Sequence, residues 1–256
     1  MKRISLIAAA AVAVMATAGA HARSFEAIQK DGTLRLATEG YYTPFAYFEG
    51  KKLTGFEVDL AELMAQKMGL KVEWKTISFD ALLTGLKQDR WDLVISSHGI
   101  TPEREKAVTF TTPHYCSGAQ VIALTDAIKS AKDLPGKTVS AQTGTTYLDY
   151  VQKHVPGVKR VVNFPTNEAA LNALMTKRVD AWVTERFLAK EMLQKNSKIK
   201  FNQGDLLFVE RIAAAVAKDN QALATAWNKA FAAALQDGSY AKLSQKWFKE
   251  DIRCPE

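Results

Sequence analysis

The chain has 256 residues, 47% hydrophobic and 24% charged, with a formal net charge of +7 and two cysteines. That is enough to bury one full core or two smaller ones, since domains commonly hold about 100–150 residues. Its lysines and arginines are scattered among acids, and its four histidines (His21, His98, His114, His154) do not cluster, so neither a nucleic-acid partner nor a metal or other cofactor is expected.

The first 22 residues combine a basic start (Lys2, Arg3), an alanine-rich apolar run over 4–15 and an Ala20-His21-Ala22 cleavage pattern. This reads as a secretory signal peptide covering 1–22. The competing reading, a membrane anchor, is disfavoured because the run is short for a span of about 20 residues. Cleavage would leave 234 residues with a formal charge of +5. No later stretch is long and apolar enough to cross a bilayer. In the oxidising compartment that a signal peptide implies, Cys116 and Cys254 are expected to pair, with two separate thiols as the alternative.

Beyond the cleavage point, strands and helices alternate. Residues 33–38 alternate apolar and polar as a strand does, and an aromatic loop, Glu39-Gly40-Tyr41-Tyr42-Thr43-Pro44-Phe45, follows. Gly55 opens a helix over 56–68 that turns Leu60, Leu63, Met64 and Met68 to one face and stops at Gly69. A strand at 72–76, a helix at 80–88 and a strand at 91–96 complete a first unit. The last strand runs into Ser96-Ser97-His98-Gly99, where small residues let a ligand approach the backbone. Thr101-Pro102 is an N-cap and N1 pair, bringing free N–H groups close to Arg104, whose five-donor fork suits a carboxylate. A plain strand-to-helix connection with a surface arginine is the competing reading of these residues.

The pattern then restarts. Residues 120–124 are extended, 132–137 are turn-rich, and a strand over 138–141 leads into Gln142-Thr143-Gly144-Thr145-Thr146 before a helix over 147–154. This second small-residue turn at a helix start again offers free N–H groups to an anion. A strand at 161–164, a helix capped by Asn167 and reaching Thr176, and a strand at 179–183 delivering Thr184 and Glu185 follow. Extended segments at 206–209 and 213–217 precede helices at 220–235 and 240–248.

Taken in order, Tyr42-Thr43-Pro44-Phe45, Gly55-Phe56-Glu57-Val58-Asp59-Leu60, Phe79-Asp80-Ala81-Leu82, Ile100-Thr101-Pro102-Glu103-Arg104, Thr109-Phe110-Thr111-Thr112-Pro113-His114-Tyr115, Gln142-Thr143-Gly144-Thr145-Thr146 and Arg178-Val179-Asp180-Ala181 carry a resemblance. The chain resembles the periplasmic amino-acid-binding proteins of ABC transporters, the group of lysine/arginine/ornithine, histidine and glutamine receptors. The resemblance implies an α/β, two-lobed periplasmic-binding-protein fold of type II with two hinge strands, near 115–121 and 208–212. Lobe 1 would comprise 23–116 and 213–256, and lobe 2, with the hinge strands, 117–212. It further implies a periplasmic monomer that captures a small amino acid and delivers it to an inner-membrane permease.

The site that the resemblance implies is specific. Arg104 would clamp the ligand α-carboxylate with N–H groups of Gly99 and Thr146, beside Ser96, Ser97, Thr143 and Thr145. Tyr42 and Phe79 would sandwich the aliphatic part, Glu185 would take the α-ammonium, and Glu39 matches an acid that contacts the side chain in some relatives, favouring a polar or cationic ligand. Three positions depart from the pattern. Glu185 replaces an aspartate, Gly99 replaces a hydroxyl residue, and His98 stands where an apolar residue is usual and could either face the cleft or fill space beside the strand. Glu185 with His98 also leaves open a periplasmic enzyme of the cyclohexadienyl dehydratase kind, and a sensor acting through a separate partner is a third reading.

Overall fold

A computed structural model describes residues 22–255. The expected signal segment therefore lies outside the described residues except for Ala22. The chain begins with α1 (Phe25–Asp31), then β1 (Thr33–Thr38), a small hairpin sheet of β2 (Tyr41–Tyr42), β3 (Ala46–Glu49) and β4 (Lys52–Thr54), then α2 (Phe56–Lys67), β5 (Lys71–Thr76), α3 (Leu82–Lys87), β6 (Leu93–Val94), α4 (Pro102–Glu105) and β7 (Val108–Phe110). The long strand β8 (Tyr115–Ala123) leads to β9 (Thr138–Gln142), α5 (Thr146–His154), β10 (Arg160–Phe164), α6 (Asn167–Met175), β11 (Ala181–Glu185), α7 (Arg186–Lys195) and the long return strand β12 (Asn202–Ile212). Then come β13 (Ala215–Ala217), α8 (Gln221–Gln236) and α9 (Ser239–Phe248).

These strands form two five-stranded sheets, in the orders β5-β1-β6-β13-β7 and β10-β9-β11-β8-β12. In the first, β1 runs parallel to β5 and β6, and β13 antiparallel to β6 and β7. In the second, β9 is parallel to β10 and β11, while β8 is antiparallel to β11 and β12. The parallel ladders need helical crossovers, which is why α2, α3, α5 and α6 lie between their strands. Two connections join the sheets: β8 leaves the first unit just after β7, and β12 returns to it just before β13. These two strands pair with each other from Tyr115 opposite Ile212 onward.

Local sequence explains the helix that anchors the first unit. α2 buries Phe56, Leu60, Ala61, Met64 and Ala65, one side of a 3.6-residue period. Its start requires Gly55: the backbone there has φ 132°, and an added Cβ would lie 2.2 Å from the Phe45 carbonyl oxygen. Phe45 stacks on Tyr115 with ring centroids 4.9 Å apart and meets Phe187 of α7 at 6.4 Å, so an aromatic cluster continues from one unit to the other beside the hinge strands.

Two expectations change in the structure. The strand expected at 91–96 shortens to Leu93–Val94, because Ser96 and Ser97 leave the sheet to form a loop. Thr166, not Asn167, caps α6 through its hydroxyl, since the Asn167 amide turns inward to Gln142 and Thr184. Cys116 and Cys254 form a disulfide across a separation of 138 residues, tying the first residues of β8 to the C-terminal tail. Among the described residues no helix is long and apolar enough to cross a membrane.

Candidate functional site

The loop after β6 is held in an unusual shape by a buried acid. Ser97 has φ 53°, uncommon for a residue with a side chain. Glu57 of α2 fixes it from below: one oxygen accepts the Ser97 N–H at 2.8 Å and the other the Ser97 hydroxyl at 3.0 Å. His114 Nε2 lies 2.9 Å from the first of these oxygens. Ser96 turns the other way and accepts the Glu39 N–H at 3.1 Å. A strained serine is thus over-determined by its surroundings, as strained residues at ligand sites usually are.

Arg104 stands in the single turn of α4, whose N-cap Thr101 accepts the Arg104 N–H. Its guanidinium donates to the Gly99 carbonyl at 2.7 Å and, from the opposite unit, to the Gly144 carbonyl at 2.9 Å. It also lies 5.9 Å from the centre of the Phe79 ring. The other unit contributes the turn after β9. Thr145 caps α5, Thr146 donates its hydroxyl to Glu210 at 2.8 Å, and Gln142 donates to Glu39 at 2.5 Å. Both Arg104 and Gln142 therefore bridge the two units directly.

Between them lies a small cavity of about 10 Å³. Tyr42, Phe79, Ser97 and Arg104 line it from the first unit, and Gln142, Thr145, Thr146, Tyr147 and Glu210 from the second. A groove of about 550 Å³ outside it shares Arg104, Thr146 and Glu210. An inner space of this size holds about one water.

Six of the residues singled out from sequence meet here: Tyr42, Phe79, Ser97, Arg104, Thr145 and Thr146. Glu39 and Ser96 stand directly behind, and the Gly99 carbonyl holds Arg104. The other three, like Glu39, Ser96 and Gly99, do not line the cavity. Thr143 turns to the Phe164 carbonyl and Asn163. His98 is buried and stacks on the Phe79 ring at 4.3 Å, which backs that ring, and its Nδ1 has no hydrogen-bond partner among the described residues. Glu185 is fully buried; it accepts from the Ser117 hydroxyl and caps α7 by accepting the Leu188 N–H at 2.7 Å.

The profile of the bacterial extracellular solute-binding proteins, family 3, matches residues 34–250. The chain belongs to this family. Among its relatives, the L-cystine-binding protein TcyJ of Escherichia coli (strain K12) is 33% identical over 252 residues, covering 94% of each chain. The ABC transporter arginine-binding protein 1 of the same strain is 35% identical over 214 residues, 82% of this chain and 88% of that one. A solved structure of an ancestral arginine-binding protein bound to arginine superposes with a TM-score of 0.81 at 37% identity, covering 85% of this chain and 98% of that one. The fold of this solute-binding protein is thus the type II two-lobed one.

Electrostatics of the cleft follow from burial. Glu39 is pushed up to about 8 by desolvation, against the pull of Gln142, and Glu185 to about 7 by desolvation, against its hydrogen bond from Ser117. Burial, followed by the charge of Arg104, holds His98 well below its ordinary value, so the ring is neutral. Burial lowers Arg104, and the charge of Glu210 partly restores it.

Sequence reasoning assigned no role to Gln142, Tyr147 or Glu210 in the cavity, or to Glu57 behind it. Gln142 and Tyr147 flank the second small-residue turn and were legible there as neighbours of a binding turn. Glu210 lies 64 residues from its partner Thr146. Its one signal in the sequence was the missing side chain at Gly99.

Proposed function

We propose that this solute-binding protein is a periplasmic receptor that captures a polar or cationic amino acid and delivers it to an inner-membrane ABC permease, acting as a monomer. The observation that carries the reading is Arg104, a half-buried guanidinium that reaches both units at the mouth of a small cavity lined by Tyr42 and Phe79. In this reading residues 1–22 are removed on export, lobe 1 comprises 23–116 and 213–256, lobe 2 comprises 117–212, and β8 and β12 are the hinge. The relatives named above for arginine and cystine support an amino-acid ligand.

The mechanism follows from the donors. On opening, Arg104 releases the Gly144 carbonyl, and a ligand carboxylate takes its place, joined by the Thr146 and Gly99 N–H groups, while the Ser97 hydroxyl stays on Glu57. The Tyr42 and Phe79 rings cover the aliphatic part. Glu185 and Ser117 take the α-ammonium: a carboxylate offers about four acceptor sites, and the α7 cap and Ser117 use two. Glu39, whose second oxygen is buried without a partner among the described residues, takes the side-chain cation or amide. Ligand favours the closed form by its differential affinity, and the permease reads that form.

The reading is of binding without chemistry. The enzyme reading needs His98 as an acid or base at the ligand, and His98 is buried, stacked on the Phe79 ring and outside the cavity lining. A thermal-shift screen of the protein from Arg23 onward against the common amino acids, ornithine, citrulline and several dicarboxylic acids tests this. One amino-acid class at about a hundredfold excess over Kd is expected to add roughly 2.7 kcal/mol of stability. Shifts with non-amino carboxylates alone would overturn the Glu185 assignment.

A further inference from the structure

Glu210, near the end of β12, reaches the cavity from the hinge side. We propose that Glu210 is a specificity-determining residue, a built-in carboxylate that shares Arg104 with the ligand's own and so disfavours ligands carrying a second acidic group. This rests on the amino-acid-receptor reading.

Three observations converge on it. Glu210 is fixed in place, because Thr146 donates its hydroxyl to Oε2 at 2.8 Å and the Tyr147 hydroxyl adjoins the same carboxyl. Its space is made by Gly99: a Cβ built there would lie 1.9 Å from Oε2 of Glu210. The hydroxyl residue that the family resemblance places at position 99 would push this carboxylate out of its place, so the loss of a donor at 99 and the acid reaching in from β12 belong to one arrangement. The third observation is charge. Among the described residues lining the cavity Arg104 is the one cation, and the charge of Glu210 already acts on it.

A ligand with one carboxylate can share that guanidinium, whose planar fork offers five donors. A second carboxylate on the ligand finds no further cation lining the cavity and faces Glu210 where charge is poorly screened. An amide of the same shape meets no such repulsion. Glutamine and glutamate, which differ by this one charge, therefore read the residue out.

The experiment is calorimetric titration of wild type and Glu210→Gln with L-glutamine, L-glutamate and L-arginine. Wild type is expected to disfavour glutamate, and Glu210→Gln to narrow the glutamate-to-glutamine Kd ratio by about tenfold or more, the scale of a unit charge a few ångström away at an effective dielectric near 20. An unchanged ratio, even with all affinities weakened together, makes Glu210 a mere prop for Thr146 and Tyr147 and overturns the proposal. Failure of wild type to bind any of the three strikes the receptor reading itself and is seen before any variant is made. A second pair guards against misfolding. Gly99→Ala is expected to weaken binding by displacing the Glu210 carboxylate, and Gly99→Ala with Glu210→Ala to restore glutamine binding. No restoration contradicts the shared space.

Discussion

Gln142 donates its amide to Glu39 at 2.5 Å across the cleft, from the end of β9 to the loop after β1. Burial raises Glu39 to about 8, so near neutral pH the ligand-free protein holds a proton there that the unfolded chain, with an ordinary carboxyl, does not. Stability from this group is present below the unfolded value and is lost as pH rises through about 8; Glu185 adds the same trend up to about 7. The melting temperature of ligand-free protein is expected to fall between pH 6 and 9, as unfolding curves across that range would show, and Glu39→Gln to flatten the fall.

Ligand reverses the sign. A cationic side chain placed on Glu39 favours the ionised carboxylate, so binding expels the proton and affinity rises with pH across the same window. Titrations in buffers of different ionisation enthalpy count the protons released. Proton uptake on binding a cationic amino acid would contradict the placement of Glu39.

Glu57 does not touch the cavity, yet it holds Ser97 through both the N–H and the hydroxyl. Glu57→Leu keeps the bulk and leaves the Ser97 N–H and hydroxyl without their acceptors. The cost is expected to be about 1–3 kcal/mol of stability, the range for an unsatisfied buried polar group, together with weaker ligand binding as the loop relaxes. Denaturant unfolding and calorimetry separate the two effects, and an unchanged Kd would show that the binding loop keeps its shape without Glu57.

The Cys116–Cys254 bridge closes a loop that contains β9 to β12 entire. Constraining so long a loop in the unfolded chain is expected to contribute roughly 2–5 kcal/mol. Unfolding of a Cys116→Ala, Cys254→Ala double variant measures it. A thiol assay on unfolded, unreduced protein is expected to find no reactive group.

The extent of legibility in the sequence follows from how local each feature is. α2, α5 and α8 were readable because each buries one helical face and carries its own start signal, Gly55, Thr145 and Asn220. β2 to β4 escaped notice because strands of two to four residues with Tyr41 and Phe48 exposed carry no alternation to read. α1 is hard to read because it has only seven residues and buries Ile28 alone, and α7 because its N-cap is Glu185, not one of the usual capping residues. In the site, Arg104, Tyr42 and Phe79 stood out by residue type within motifs. Gln142 and Tyr147 flank a legible turn, whereas Glu210 acts through a pairing with Thr146 across the fold, which no window of sequence displays.

The carboxylate clamp is the centre of this account, and titrating wild type and Arg104→Ala with the amino acid that stabilises the protein most tests it directly. The account predicts saturable one-to-one binding by wild type and a loss of about 2–5 kcal/mol in the variant, the range for removing one partner of a buried charge pair. A loss below about 0.5 kcal/mol, within the range of a solvent-exposed pair, would contradict it.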